Sequence, residues 1–261
     1  MTDERKYVDF VIDERVAVVT VDRPPVNAWN IQVENEVKQV FEELSTRDDF
    51  GAVVITGGGD RAFIAGADIK MMSEMGPKDA FEMSANSKVV MSFIEEFDRV
   101  VIAAINGLAL GGGCEVAMAC DIRVADESAL IGLPEVSLGL FPGAGGTQRL
   151  PRLVGIGKAK QLIFTGDHIS AQEAKDIGLI QEVAPKGRAV SEAKKIAKRI
   201  MERGPVAVAK AKKAINSGAR MPMEAGFKIE TELFSELFAT QDQKEGVKAF
   251  LEKRKPKFSG R

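Results

Sequence analysis

Val100-Val-Ile-Ala-Ala-Ile105-Asn-Gly-Leu-Ala-Leu110-Gly-Gly-Gly-Cys-Glu115 is the stretch from which the architecture can be worked outward. Val100 to Ile105 is an apolar, largely β-branched run of strand length. The triplet Gly111-Gly112-Gly113 lets another backbone or a ligand approach closely and leaves unblocked amide donors where a helix begins. Those amides, with the helix dipole, would stabilise an anion. A tight strand-to-helix turn uses the same glycines, so the triplet alone does not separate the two readings. Glu115 is the only charged residue between Val100 and Cys120, and Gly113, Cys114, Val116, Ala117 and Met118 surround it. A carboxylate in that company is at least partly desolvated, which is costly unless it is hydrogen-bonded or protonated. The spacing alone fits equally a helix-start glutamate that reaches solvent.

Upstream, Val16 to Val21 and Ala52 to Thr56 are further short apolar runs. Between them Ile31, Val37, Val40, Phe41 and Leu44 recur at helical spacing, with Asn30 available as N-cap. Downstream, Ile122 to Ala125 precedes Ile131 and a Gly-Leu-Pro-Glu turn. Strands alternating with helices predict an α/β fold with mainly parallel pairing. After about Thr147 the character changes. Ser170-Ala-Gln-Glu173 reads as a capping box opening a helix that Gly178 closes. Beyond Lys186 the pattern is helical: Val190, Ala193, Ala197, Ile200 and Met201 form one stripe, ended by Gly204-Pro205. Pro222 suits the first turn of the next helix, whose Met223, Phe227, Phe234, Leu237 and Phe238 make an apolar face in need of a partner.

The chain has 261 residues, 45% hydrophobic and 28% charged, enough for one large domain or a domain with a helical appendage. Cys114 and Cys120 have no partner pair and read as reduced, buried thiols in a cytosol-like, cytoplasmic setting. The charged start MTDERKYVDF does not read as a signal peptide, and no apolar run is long and unbroken enough to span a bilayer. A formal charge of -2 gives no general attraction to nucleic acid or anionic membrane. The single histidine, His168, would have to serve any triad or histidine metal site. It falls in a Gly-Asp-His-Ile segment that reads as an exposed turn, and no Gly-x-Ser-x-Gly elbow accompanies it. Gly57-x-Gly59-x-x-Ala62 lacks the following helix of a dinucleotide fingerprint, and Gly155-Ile-Gly157-Lys158 lacks the first glycine and the Ser/Thr of a P-loop. Trp29, the one tryptophan, reads as packing rather than as a stacking platform.

Glu135 lies twenty positions after Glu115, between Leu133-Pro134 and a glycine-rich stretch. Two carboxylates bordered by apolar residues suit general acid/base work, one held protonated and the other ionised. Taken alone, a surface turn glutamate is the simpler account of Glu135.

Ala65-Gly66-Ala67-Asp68-Ile69-Lys70, the Asn106 to Glu115 segment, and Pro134-Glu135 with Pro142-Gly-Ala-Gly-Gly-Thr-Gln-Arg149 closely resemble the signatures of the crotonase (enoyl-CoA hydratase/isomerase) superfamily, in order and spacing. The resemblance runs from Val16 to Arg254 and is nearest to the short-chain enoyl-CoA hydratases. It implies an α/β spiral of ββα units over residues 1–195, followed by a helical trimerisation region over 196–261. It places the oxyanion amides at Ala67 and Gly112. Glu115 would activate water, Glu135 would give the C2 proton, and Gly143 would offer an amide to the same water. It sets Ala65, Asp68, Ile69 and Lys70 along the coenzyme path, with Phe250 and Lys253 near the adenine end. No cofactor is implied, since coenzyme A is part of the substrate; a homotrimer or a hexamer of two trimers is. Relatives that only shift a double bond commonly retain one of the two glutamates. Some relatives bind RNA, and Lys194-Lys195-Ile-Ala-Lys198-Arg199 is basic, but the interspersed Glu192 and Glu202 read as a solvated helix face.

Overall fold

The apolar runs become the centre of a twisted sheet because each is buried or half-buried on both faces. The computed structural model describes residues 5–261, so the first four residues of the charged N-terminal stretch lie outside it. In chain order the first half comprises β1 (Val8–Asp13), β2 (Val16–Val21), α1 (Ile31–Ser45), β3 (Ala52–Gly57), β4 (Ala62–Ala65), α2 (Ile69–Met72), α3 (Pro77–Glu95), β5 (Val100–Ile105), β6 (Leu108–Leu110) and α4 (Gly112–Ala119). Then come β7 (Ile122–Asp126), β8 (Leu130–Gly132), a 3₁₀ turn (Pro134–Leu138), α5 (Gly146–Val154), α6 (Ile156–Thr165), β9 (His168–Ser170), α7 (Ala171–Asp176) and β10 (Glu182–Ala184). Four helices follow: α8 (Ala189–Met201), α9 (Pro205–Gly218), α10 (Met223–Leu237) and α11 (Gln241–Leu251).

One sheet runs β1-β2-β3-β5-β7-β10, parallel except for the β1/β2 hairpin; a smaller one runs β4-β6-β8-β9, parallel except for β8/β9. Successive strand pairs β3/β4, β5/β6 and β7/β8 thus give one strand to each sheet before the chain turns into helix, which is the ββα spiral. Side chains alternate along each strand. In β5, Val101, Ala103 and Ile105 face the core shared with α1, α3 and α4, whereas Val100, Ile102 and Ala104 face α8. The α8 side of that contact is Ala189, Ala193 and Ala197, small enough for the helix to lie close on the sheet. Residue 195, the division expected between core and appendage, therefore falls inside a helix that packs on the main sheet.

Asn30 caps α1 by accepting from Val33 N, and Ser170 caps α7 by accepting from Glu173 N. Pro222 sits one position before the first turn of α10, at its N-cap. His168 departs from the expected turn: it opens β9 and is exposed. Gly57 ends β3 and leads through a tight turn to β4, not to a helix, and Gly155 joins α5 to α6. The lysines of α8 are paired, Lys194 with Asp13 and Glu14, Lys198 with Glu14, and Lys195 with Glu192. Among the described residues no helix is long and apolar enough to cross a membrane.

The helical end is tied to the spiral through α9. Lys212 Nζ donates to Asp121 Oδ2 at 2.7 Å and to the Arg99 carbonyl at 3.0 Å, and Asn216 Nδ2 donates to the Glu95 carbonyl. α10 then packs back on α9, leaving Met223, Phe227, Phe234 and Phe238 exposed.

Candidate active site

A cavity of about 650 Å³ opens where the two glycine-rich turns meet the C-terminal ends of β4 and β6. Its walls come from the 65–72 turn, the start of α4, the 3₁₀ turn, the 138–148 loop and one face of α3. Ile69, Leu138, Leu140 and Phe141 are exposed apolar residues along this wall, suited to an apolar guest.

The glycines before α4 are required by contact and by dihedral. A Cβ added to Gly113 would lie 1.9 Å from the Ile64 carbonyl oxygen, so only glycine lets α4 start against β4. Gly111 has φ +51°, and a Cβ there would sit 3.1 Å from Glu135 Oε1. The turn aims α4 so that the Gly112 amide is in its first turn, where no intrahelical acceptor exists. The second free amide arises differently. Trp29 bridges the 66–68 turn in parallel fashion: its N–H donates to the Gly66 carbonyl at 2.8 Å and its carbonyl accepts from Asp68 N at 2.9 Å. This pairing uses the groups on either side of Ala67 and leaves the Ala67 N–H out of it. Both residues line the cavity.

The two glutamates are both desolvated but differ in their hydrogen-bond partners. Glu115 is 2% exposed in the first turn of α4, so it does not reach solvent. Its Oε1 accepts from Ala144 N at 2.8 Å and Gly146 N at 2.7 Å. Burial pushes its carboxyl above the usual range, while these two amides pull the other way by favouring the ionised form. Glu135, on the 3₁₀ turn, has a buried Oε2 with no hydrogen-bond partner. Burial, with the charge of Glu115 adding to it, raises its pKa to about 7. Gly143 lies beside the pair, its carbonyl held by Ser84 Oγ of α3 at 2.8 Å. Arg149 braces the same loop, donating to the Ala144 carbonyl and to Glu95.

Glu115, Glu135, Ala67, Gly112, Gly143, Ala65 and Ile69 are therefore gathered around one cavity. Asp68 and Lys70 lie on the turn beside it without lining it. Asp68 Oδ2 is taken by Arg23 at 2.6 Å and its Oδ1 caps α2, and the Arg23 guanidinium holds its carboxyl below the usual range. Lys70 is exposed. Phe250, 83% exposed near the end of α11, and Lys253 just beyond it do not line the cavity. Sequence reasoning missed Glu34, a buried cavity-lining carboxyl, and with it Ser84 and Ser87 of α3. A signal for Glu34 existed: it lies three residues before Val37 and seven before Phe41, on the apolar stripe of α1.

Free amides facing a cavity are a preorganised site for a developing oxyanion, and two carboxyls with different hydrogen-bond partners beside it can move protons. The spiral itself is that of a known class. The chain belongs to the enoyl-CoA hydratase/isomerase family, whose model matches residues 11–261. It is 47% identical over 255 residues to the crotonyl-CoA hydratase of Syntrophomonas wolfei, covering 97% of this chain and 98% of that protein. The short-chain-enoyl-CoA hydratase of Clostridium acetobutylicum is 47% identical over 242 residues, covering 92% and 93%. Among solved structures, an enoyl-CoA hydratase from Bacillus anthracis superposes with a TM-score of 0.93 at 39% identity, covering 98% of this chain and 100% of that one.

Proposed function

We propose that this protein is an enoyl-CoA hydratase, adding water reversibly across a 2-trans-enoyl-CoA to give the 3-hydroxyacyl-CoA. The observation that carries this reading is the pair Glu115 and Glu135 on one cavity with the free amides of Ala67 and Gly112. Water attacks C3, the electrons pass through C2 into the thioester oxygen, and an enolate-like anion develops there. The Ala67 and Gly112 amides stabilise that anion, and because they are fixed by backbone pairing they need no reorganisation as charge develops. Glu115, its Oε1 engaged by two amides, orients the water through its other oxygen and takes its proton. Glu135, whose raised pKa of about 7 keeps a protonated fraction available near neutrality, gives a proton to C2. In dehydration the roles reverse. The Gly143 amide helps hold the water. Moving a double bond needs only one base, so two cavity carboxyls favour hydration over isomerisation.

Hydration involves no net redox change, so no redox cofactor is called for, and coenzyme A arrives with the substrate. Ala65 and Ile69 would contact its pantetheine arm and Lys70 its phosphates. Phe250 and Lys253, which do not line their own chain's cavity, would serve the coenzyme site of a neighbouring subunit in a trimer or hexamer. The buried free thiols of Cys114 and Cys120 are in keeping with a reducing, cytosolic compartment. The test is direct: purified protein should hydrate but-2-enoyl-CoA, and enoyl-CoAs of graded length will define the acyl range. Double-bond migration without hydration would overturn the assignment.

A further inference from the structure

Beneath the oxyanion amides lies a buried polar cluster that the reaction as described does not use. Glu34 of α1 is 3% exposed. Its Oε1 accepts from Trp29 Nε1 at 2.6 Å and from Ser87 Oγ of α3. Burial pushes its carboxyl above the usual range, and the Ser87 and Trp29 donors offset this only in part. An apolar side chain in that place would avoid the desolvation altogether. Trp29 is the link to the chemistry. Its backbone grips the turn on both sides of Ala67, and its side chain backs Gly112, where an added Cβ would meet Trp29 Cβ, Cγ and Cδ1 at 3.8–3.9 Å. One residue thus touches the carriers of both amides, and one carboxyl fixes that residue's ring.

We propose that Glu34 is a positioning residue for the oxyanion site, acting through Trp29, with Ser87 tying the pair to α3. The indole is wedged between α1 and the first turn of α4, and its N–H has a single acceptor, Glu34 Oε1. Without that acceptor a buried N–H is left unpaired unless the ring turns to find another. A turned ring shifts Gly112 relative to Ala67, and the two amides no longer converge on one oxygen. The inference rests on the hydratase reading for the meaning of those amides.

Three variants and three readouts test it. Glu34→Gln keeps an oxygen able to accept from both Trp29 and Ser87; Glu34→Ala removes it; Trp29→Phe keeps a ring and removes the N–H. Misaligning a preorganised donor should cost part of the effect of deleting it. Glu34→Ala and Trp29→Phe should therefore lower hydration kcat about 10–100-fold, with KM within about threefold of the parent. Glu34→Gln should stay within about threefold in both. The second readout needs no turnover. Bound 3-oxobutanoyl-CoA partitions between keto and enolate forms, and the enolate fraction, read by absorbance at fixed pH, reports how well the amides hold an oxyanion. It should fall in Glu34→Ala and Trp29→Phe and recover in Glu34→Gln. Trp29 is the chain's only tryptophan, so its emission should also shift in Glu34→Ala. The proposal is overturned if Glu34→Ala loses thermal stability but keeps kcat and the enolate fraction. It is equally overturned if emission is unchanged, or if Glu34→Gln is as damaging as Glu34→Ala, which would make the carboxyl's proton itself the agent. Should Glu34→Ala not fold, Trp29→Phe carries the test. A parent protein that fails to hydrate but-2-enoyl-CoA counts against the hydratase reading, while the enolate fraction still judges Glu34.

Discussion

Glu115 and Glu135 are both carboxyls at the edge of one cavity, yet each is surrounded differently. Burial raises both carboxyls, but two backbone amides on one oxygen of Glu115 work toward its ionised form, while the buried oxygen of Glu135 has no such partner. Glu115→Gln and Glu135→Gln each keep size and abolish ionisation, so each should cut hydration kcat on the order of 10²–10⁴-fold, with KM changed much less. The double variant should be barely worse than the poorer single, because both groups act on one reacting system. Solvent exchange of the C2 proton, followed by NMR, should suffer most in Glu135→Gln; near-normal hydration by that variant would sink the two-carboxyl mechanism. The pH dependence follows from the same pair. Hydration starts with one proton shared by the two carboxyls, and dehydration starts with the same total, so both directions need the singly protonated pair. As pH rises through about 7, Glu135 loses that proton, and kcat/KM should fall in parallel for the forward and reverse reactions. Stability responds with a definite sign. A carboxyl whose folded pKa is about 7 against an ordinary 4.5 favours the folded state below pH 4.5, and this contribution is lost as pH rises through 7. Glu135→Gln should flatten that decline in a pH series of denaturant unfolding curves.

At the level of elements, the cap of α8 shows how a single side chain joins two layers. Asp126, at the end of β7 and 3% exposed, accepts from Gly187 N at 3.0 Å, Arg188 N at 3.1 Å and Ala189 N at 2.8 Å. These are donors at a helix start whose own cap residue, Arg188, supplies no side-chain bond. Asp126→Ala should cost about 2 kcal/mol and lower the melting temperature by roughly 4–8 °C by calorimetry, with Asp126→Asn losing less. A melting temperature unchanged in Asp126→Ala would show that solvent caps α8 equally well. No sequence pattern announces this contact, because its partners are some sixty residues apart. Other elements were legible for clear reasons. β3 and β5 are six-residue strands buried on both faces, and β2 is buried on one and half-buried on the other, so they read as continuous apolar runs. The strands of the smaller sheet have three or four residues, too few to show a period. α3 went unread because its inward face carries Ser87 among Val90, Met91 and Ile94 and its stripe is weak. The same contrast governs the site. Glu115 stands out as a lone charge in an apolar segment, whereas Glu34 shares its helix with Glu36, Glu42 and Glu43 and has no such contrast.

At the scale of the whole molecule, the helical end leaves large apolar side chains uncovered. Phe227, Phe234 and Phe238 are each more than half exposed on α10 and its end, with Phe234 and Phe238 in edge-to-face contact at 5.3 Å; Phe250 and Leu251 are exposed at the end of α11. Large aromatic and aliphatic groups gathered in this way mark an interface more often than a free surface. α9 is anchored to the spiral by the Lys212–Asp121 pair and by Arg220 to Glu95 and Glu96, so α10 is presented on a fixed support and not as a loose arm. Copies of this chain meeting through α10 would cover those rings and carry Phe250 and Lys253 toward a neighbour's cavity. Light scattering of the purified protein should therefore give the mass of a trimer or hexamer. Phe234→Glu, combined with Phe238→Glu, should shift that mass toward the monomer, because burying two carboxylates at an apolar contact is strongly unfavourable. Far-UV circular dichroism should remain that of the parent, since both side chains point outward. If Phe250 and Lys253 serve a neighbour's coenzyme site, the dissociated variant should show a raised KM for but-2-enoyl-CoA and a smaller change in kcat, because Glu115, Glu135 and the oxyanion amides belong to one chain. Phe250→Ala and Lys253→Ala in the assembled protein should raise KM in the same sense. A parent protein that is monomeric at micromolar concentration, or a dissociated variant with unchanged KM, would remove both the α10 interface and the shared coenzyme site.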